Sequence, residues 1–144
     1  MRLVEELRLP SAGSPSVDAL ELPPAALEAY DKAVREEEGD RNYGDQEIPC
    51  HYLGGHAQPI QDPPEWSAAL NINGVNTGNR VDWRAPGIRE IIATAPDLRL
   101  LLQVDSDDLM NVMWGDTGRL YLLMYEADLK AQAYDRAWCV LQCG

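Results

Sequence analysis

Four aspartates, Asp105, Asp107, Asp108 and Asp116, crowd one short stretch of the chain, LLLQVDSDDLMNVMWGDTGRLYLLMYE from Leu100 to Glu126. Clustered carboxylates are what a hard cation such as calcium selects, so metal binding is the first chemistry to weigh. With Asp105 as position one of a calcium-binding loop, Asp107 falls at position three and Asp116 at position twelve. Leu109, however, takes a ligand position and Met110 the place where the turn requires glycine. The motif fails, and the carboxylates are expected to cap turns by accepting backbone hydrogen bonds.

His51 and His56, with Cys50 alongside, offer nitrogen and sulfur ligands but lack the paired spacing of a zinc site. A nucleophilic Cys50 or Cys139 would need a histidine base and an orienting Asn or Asp, and no local feature assembles that set. The ordinary expectation for His51 is a bond to backbone in a tight loop. Met110, Met113 and Trp114 could form an adaptable apolar binding surface, although such residues more often tuck beneath a loop as core. Trp114-Gly115-Asp116 with Gly118 reads as a turn device. No catalytic residue, metal or cofactor is expected. The candidate surface or structural motif is His51, Gln61, Asp105, Asp107, Trp114, Asp116 and Arg119.

These residues depend on strands. From Leu98 the apolar period is two, placing Leu98, Leu100, Leu102 and Val104 on one face and Arg99, Leu101, Gln103 and Asp105 on the other. Gly118 to Glu126 repeats the pattern, with Leu120, Leu122 and Met124 opposite Arg119, Tyr121, Leu123 and Tyr125. Ala137 to Cys143 supplies a third strand, and Glu126 to Asp135 a short helix or helical turn between the two. Upstream, Leu3 to Leu22 reads as an extended surface segment with at most a short strand. Pro23 to Glu38 is helical, with Leu27, Tyr30, Ala33 and Val34 at three- and four-residue spacing and Gly39 at its end. Gly39 to Ile48 is polar and turn-rich, and His51 to Gln61 is a glycine-bearing loop. Short helices follow at Pro63–Leu70, where Glu65 complements the helix dipole, and at Ala85–Ala95, stopped by Pro96, with a polar bend from Asn71 to Asn79 between them. The architecture is α+β, an antiparallel-rich sheet in the C-terminal third with short helices packed on it.

The 144 residues fit one domain spanning 1–144. No apolar run approaches the roughly 18 residues of a membrane helix, and acids stand where a secretory signal would carry its apolar core, which favours the cytoplasm and no membrane partner. The net charge of −12, from 24 acidic and 12 basic residues, opposes the phosphate attraction on which nucleic-acid binding rests. Three cysteines, an odd count, fit reduced thiols. Extended geometry separates Cys139 from Cys143 by about 13 Å, too far for a bridge, and makes them small core residues.

Three ordered blocks resemble a bacterial YwqG-like family, a group with a domain of unknown function. They are His51 through Gln61, with its Pro-Ile-Gln ending, then Leu100 to Asp108, and Met113 to Leu122 followed by Asp128-Leu129 and Trp138 to Cys143. Leu7-Arg-Leu-Pro10 and the Tyr30 helix are similar to the approach to these blocks. Gly54-Gly55-His56-Ala57-Gln58 departs from the family's hydrophobic residue, glycine and aromatic before proline. Family members are typically longer, so the resemblance is to their C-terminal half, and it implies an α+β fold without supplying a substrate, cofactor or catalytic residue. The absent half would leave a sheet edge or apolar face exposed, which predicts a homo-oligomer or marginal stability. The first expectation is a noncatalytic cytoplasmic domain binding a protein partner, as in a protective or regulatory role in bacterial conflict. The alternatives are a small metal-dependent enzyme using the Asp-rich loop and His51, and a partial copy lacking function.

Overall fold

The computed structural model describes residues 5, 7–39, 49–78 and 80–144. Its longest helix, α2 (Pro24–Gly39), opens on a proline whose fixed φ suits a first helical turn. Asp31 and Arg35 pair at 2.9 Å and Lys32 and Glu36 at 3.7 Å along its exposed side, and the Tyr30 hydroxyl donates to the Pro10 carbonyl at 2.7 Å. The N-terminal segment is not wholly extended. Pro15–Asp18 forms a one-turn helix, α1, that buries Pro15 and Val17, because the proline starts a turn that seats the valine inward. The polar stretch read at 39–48 lies, beyond Gly39, outside the described residues, as do Leu3 and Asn79.

Helix α3 (Pro64–Ile72) follows the expected double-proline start and buries Ala68, Ala69 and Leu70. The helix expected over Ala85–Ala95 is shorter, with α4 spanning only Ile88–Ile92. Gly87, at φ 86°, holds a left-handed conformation that delays the start. Pro96 sits within a 3-10 turn, Ala95–Asp97, that delivers the chain to the sheet.

Strands β1 (Tyr52–Leu53), β2 (Leu98–Asp105), β3 (Arg119–Tyr125) and β4 (Trp138–Gln142) form an antiparallel sheet in that spatial order. The short β1, inside a segment read as loop, is too brief to show periodicity. Between β3 and β4 lie α5 (Glu126–Lys130) and a 3-10 turn, Tyr134–Arg136. Helix α3 packs on β3 and β4, and the core gathers Ala68, Ala95, Leu98, Leu100, Leu123 and Val140. Burying a side chain such as Leu123 contributes about 1.5–3 kcal/mol.

Register overturns the expected faces of β2. Leu100 opposes Leu123 and Leu102 opposes Leu122, so Leu101 is an extra residue, a β-bulge. Beyond it the alternation slips by one. Gln103 and Asp105 join Leu98 and Leu100 on the inner face, while Leu102 turns outward and is 39% exposed. The outer face also shows Leu53 and Leu141, and Cys139 is exposed there rather than in the core, since it shares the outward register of Leu122. All three cysteines are thiols.

Candidate functional site

The bulge gathers polar side chains at one end of the inner face. Asp105 opposes Arg119, which opposes Gln142, and Gln103 opposes Tyr121. Over them lies the segment from Cys50 to Asp62, whose backbone lacks a regular ladder beyond β1. Buried backbone donors and acceptors require partners, and the sheet's side chains provide them.

Gln103 accepts the Gln58 amide at 2.9 Å and donates to the Cys50 carbonyl at 3.0 Å. Gln142 accepts the Ile60 and Gln61 amides at 3.0 and 3.2 Å and donates to the Asp62 carbonyl at 2.6 Å. The Tyr121 hydroxyl and Arg119 Nη1 both donate to the Gln58 carbonyl, at 2.9 and 2.6 Å. Gln61 returns a bond from Nε2 to the Cys143 carbonyl at 2.9 Å. Three of these anchors, Gln103, Tyr121 and Gln142, were not singled out in the sequence. Their signal was a lone amide inside an apolar strand, in LLLQV and CVLQC, and a phenol on a buried face.

Asp105 is the hub. One oxygen accepts Arg119 Nη2 at 2.7 Å and the Cys50 amide at 2.9 Å, and the other accepts the Ser106 amide at 3.1 Å. Burial works against the Arg119 charge, but the Asp105 carboxylate outweighs it and raises the guanidinium's proton affinity. Burial likewise pushes the Tyr121 phenol up to about 12, so it stays a donor at any physiological pH.

His51 clasps the same corner. Its Nδ1 accepts the Asp105 amide at 3.1 Å, which leaves the proton of the neutral ring on Nε2, facing Asp107 at 3.1 Å. The expected backbone bond is present, joined by a carboxylate. Asp107 also accepts the Leu109 and Met110 amides at 2.7 and 3.3 Å, and its carboxyl lies below its ordinary range, first because of His51 and also because of those amides. It therefore caps the turn closed by the Asp107–Val112 bridge. The Ser106 hydroxyl accepts the Trp114 amide and donates to the Gly118 carbonyl, tying that turn to β3.

The two loops thus meet. Between them is a cleft of about 390 Å³ bordered by Cys50, Ile60, Asp105, Asp116 and Arg119. Asp116 lines the cleft, and its backbone carbonyl accepts the Gly144 amide at 3.2 Å. Trp114 is half-buried. Leu109, Met110 and Met113 are not core, at 97, 50 and 57% exposed, because the tight Asp107 turn projects them away from the sheet. Among the described residues no group of three His, Cys, Asp or Glu side chains is placed to hold a metal ion. A second cleft of about 290 Å³ takes His56, Glu65 and Arg99. Burial lowers His56, helped by Arg99, and raises the Glu65 carboxyl despite a bond from its own amide.

A family model described as a domain of unknown function (DUF1963) matches residues 5–143, which includes the N-terminal segment as well as the sheet. No curated protein matches the chain.

Proposed function

From the premise that the chain belongs to the DUF1963 family, we propose that it is a YwqG-like, noncatalytic binding domain of the bacterial cytoplasm. Its contact surface is the turn from Asp107 to Met113 together with the neighbouring His51–Gln61 loop. One observation supports this reading. The side chains with the chemistry of catalysis, Asp105, Arg119, His51 and Asp107, are spent on holding backbone and each other. The apolar side chains of the adjoining turn, by contrast, stand in solvent on a rigid base. Flexible methionines on a fixed scaffold suit a protein partner better than a reacting small molecule. A metal-dependent reaction would need Asp105 released from Arg119, at the cost of an uncompensated guanidinium.

Affinity capture from the native bacterium tests the reading, comparing the unmodified chain with Leu109→Asp and Met113→Asp variants at matched melting temperature. The expected outcome is a protein enriched by the former and lost from both variants. Equal recovery by all three would reject this surface.

A further inference from the structure

We propose that the groove along the outer edge of β4 binds an extended peptide segment bearing a carboxylate side chain, which adds a fifth strand to the sheet. The inference rests on the reading of the chain as a binding domain but uses a different surface. β4 ends the sheet, and among the described residues none of its backbone groups facing away from β3 makes a backbone hydrogen bond. Beside it lies a cavity of about 970 Å³. Val140 and Leu141 point to opposite faces of the sheet, yet both border this cavity, so it must run along the strand's edge.

Edge strands of this kind are usually protected by lysine, proline or a bulge. β4 reads WCVLQ and carries no charge, no proline and no bulge. Five residues span about 16 Å, enough to pair with a short strand. Across the groove stand Trp66 of α3 and Trp83, the latter 50% exposed, as apolar walls for alternate side chains.

Charge specifies the occupant further. Lys32, Arg35, Arg99, Arg119, Lys130 and Arg136 all form ion pairs. Arg80 and Arg84, both bordering the groove, form none among the described residues, in a chain of net charge −12. Asp62 and Asp82 border it too, but the Asp82 carboxylate caps its own turn through the Arg84 amide at 3.1 Å. Neither guanidinium is paired with these carboxylates among the described residues, so both forks stay open to a carboxylate on the occupant. Guanidinium forks match carboxylates bidentately, so an Asp or Glu beside the pairing strand completes the fit. A second copy pairing through its own β4, WCVLQ, brings no carboxylate in that strand to Arg80 and Arg84 and is the less suited occupant.

The experiment pans displayed random nonapeptides against the full chain, then maps amide shifts with the synthesised winners. The expected result is enrichment of alternating β-branched or aromatic residues with Asp or Glu, and shifts at Val140 and Leu141. Affinity should fall about tenfold or more in an Arg80→Ala/Arg84→Ala variant of unchanged melting temperature. Met113→Asp should leave peptide affinity unchanged, which separates this groove from the loop surface. No enrichment, shifts confined away from β4, or affinity indifferent to the arginine variant would overturn the proposal. Self-association through the same amides would reassign the edge to a second copy and overturn it as well.

Discussion

Arg119 and Asp105 expose 13 and 11% of their side chains, little enough that neither charge is well hydrated, and each is the other's main compensation. Removing one partner of such a pair costs far more than removing both, because the survivor is left charged and half desolvated. Arg119→Met is therefore expected to lose about 3 kcal/mol, and Arg119→Met with Asp105→Asn markedly less, as read by urea denaturation in a double-mutant cycle. Additive losses would mean that the pair does not act as a unit. Glu65 carries a separate, pH-dependent burden. Burial lifts its carboxyl above the ordinary 4.5, so the folded state binds the proton more tightly than the unfolded one. The destabilisation is full above the folded pKa and is relieved as pH falls through that value toward 4.5. Glu65→Gln should therefore melt higher than the parent at pH 7, and the gap should close toward pH 4. His56, lowered by burial, disfavours folding as pH drops below its ordinary 6.5, but it does so in both proteins and cancels in the comparison. A gap that widens in acid would contradict the assignment.

At the scale of elements, alternation in the sequence located β2, β3 and β4 and the helices at Pro24 and Pro64, because amphipathic period and proline are local signals. It could not locate the bulge at Leu101. Nothing in LLLQVD marks an extra residue, and the slip is favoured only by tertiary need, since it turns Gln103 and Asp105 toward the backbone of 50–62 and Leu102 outward. The same need explains why the turn-capping of Asp105 and Asp107 and the backbone bond of His51 are legible in the sequence while the Arg119 clasp is not. Capping is a local habit of these residue types, whereas Arg119 meets Asp105 only through the register of β2 and β3. The turn that closes the site makes a sharper demand at Gly118. A Cβ there would lie 2.3 Å from the Trp114 carbonyl oxygen and 2.4 Å from that of Gln142, both main-chain atoms in bonded segments. Neither can retreat without breaking the β3–β4 pairing or the Trp114–Gly118 turn. Gly118→Ala is thus expected to cost about 3 kcal/mol or more, whereas Gly13→Ala, with open space around its added carbon, should cost little. Equal melting temperatures for the two would refute the packing at the sheet's end.

For the whole molecule, charge sets the response to solution conditions. A net charge of −12 on 144 residues repels itself in the compact state, and salt relieves that repulsion. Salt also weakens the ion pairs, but Asp31–Arg35 and Lys32–Glu36 lie on the exposed side of α2, where each contributes only about 0–1 kcal/mol. Repulsion should dominate, so raising sodium chloride from about 20 to about 500 mM is expected to lift the melting temperature by roughly 2–4 °C. Calcium chloride at equal ionic strength should do no more, because Asp105 is bound to Arg119, Asp107 is bound to His51, and no third ligand joins them among the described residues. A rise specific to calcium would mean that the folded state binds the ion, since a ligand bound only by that state must stabilise it, and binding at Asp105 would have to break the clasp. The 50–62 segment would then loosen as the metal bound, and its amides would exchange faster with solvent even as the melting temperature rose. Faster exchange there, alongside a calcium-specific increment, is the result that would exchange the binding reading for the metal-dependent one.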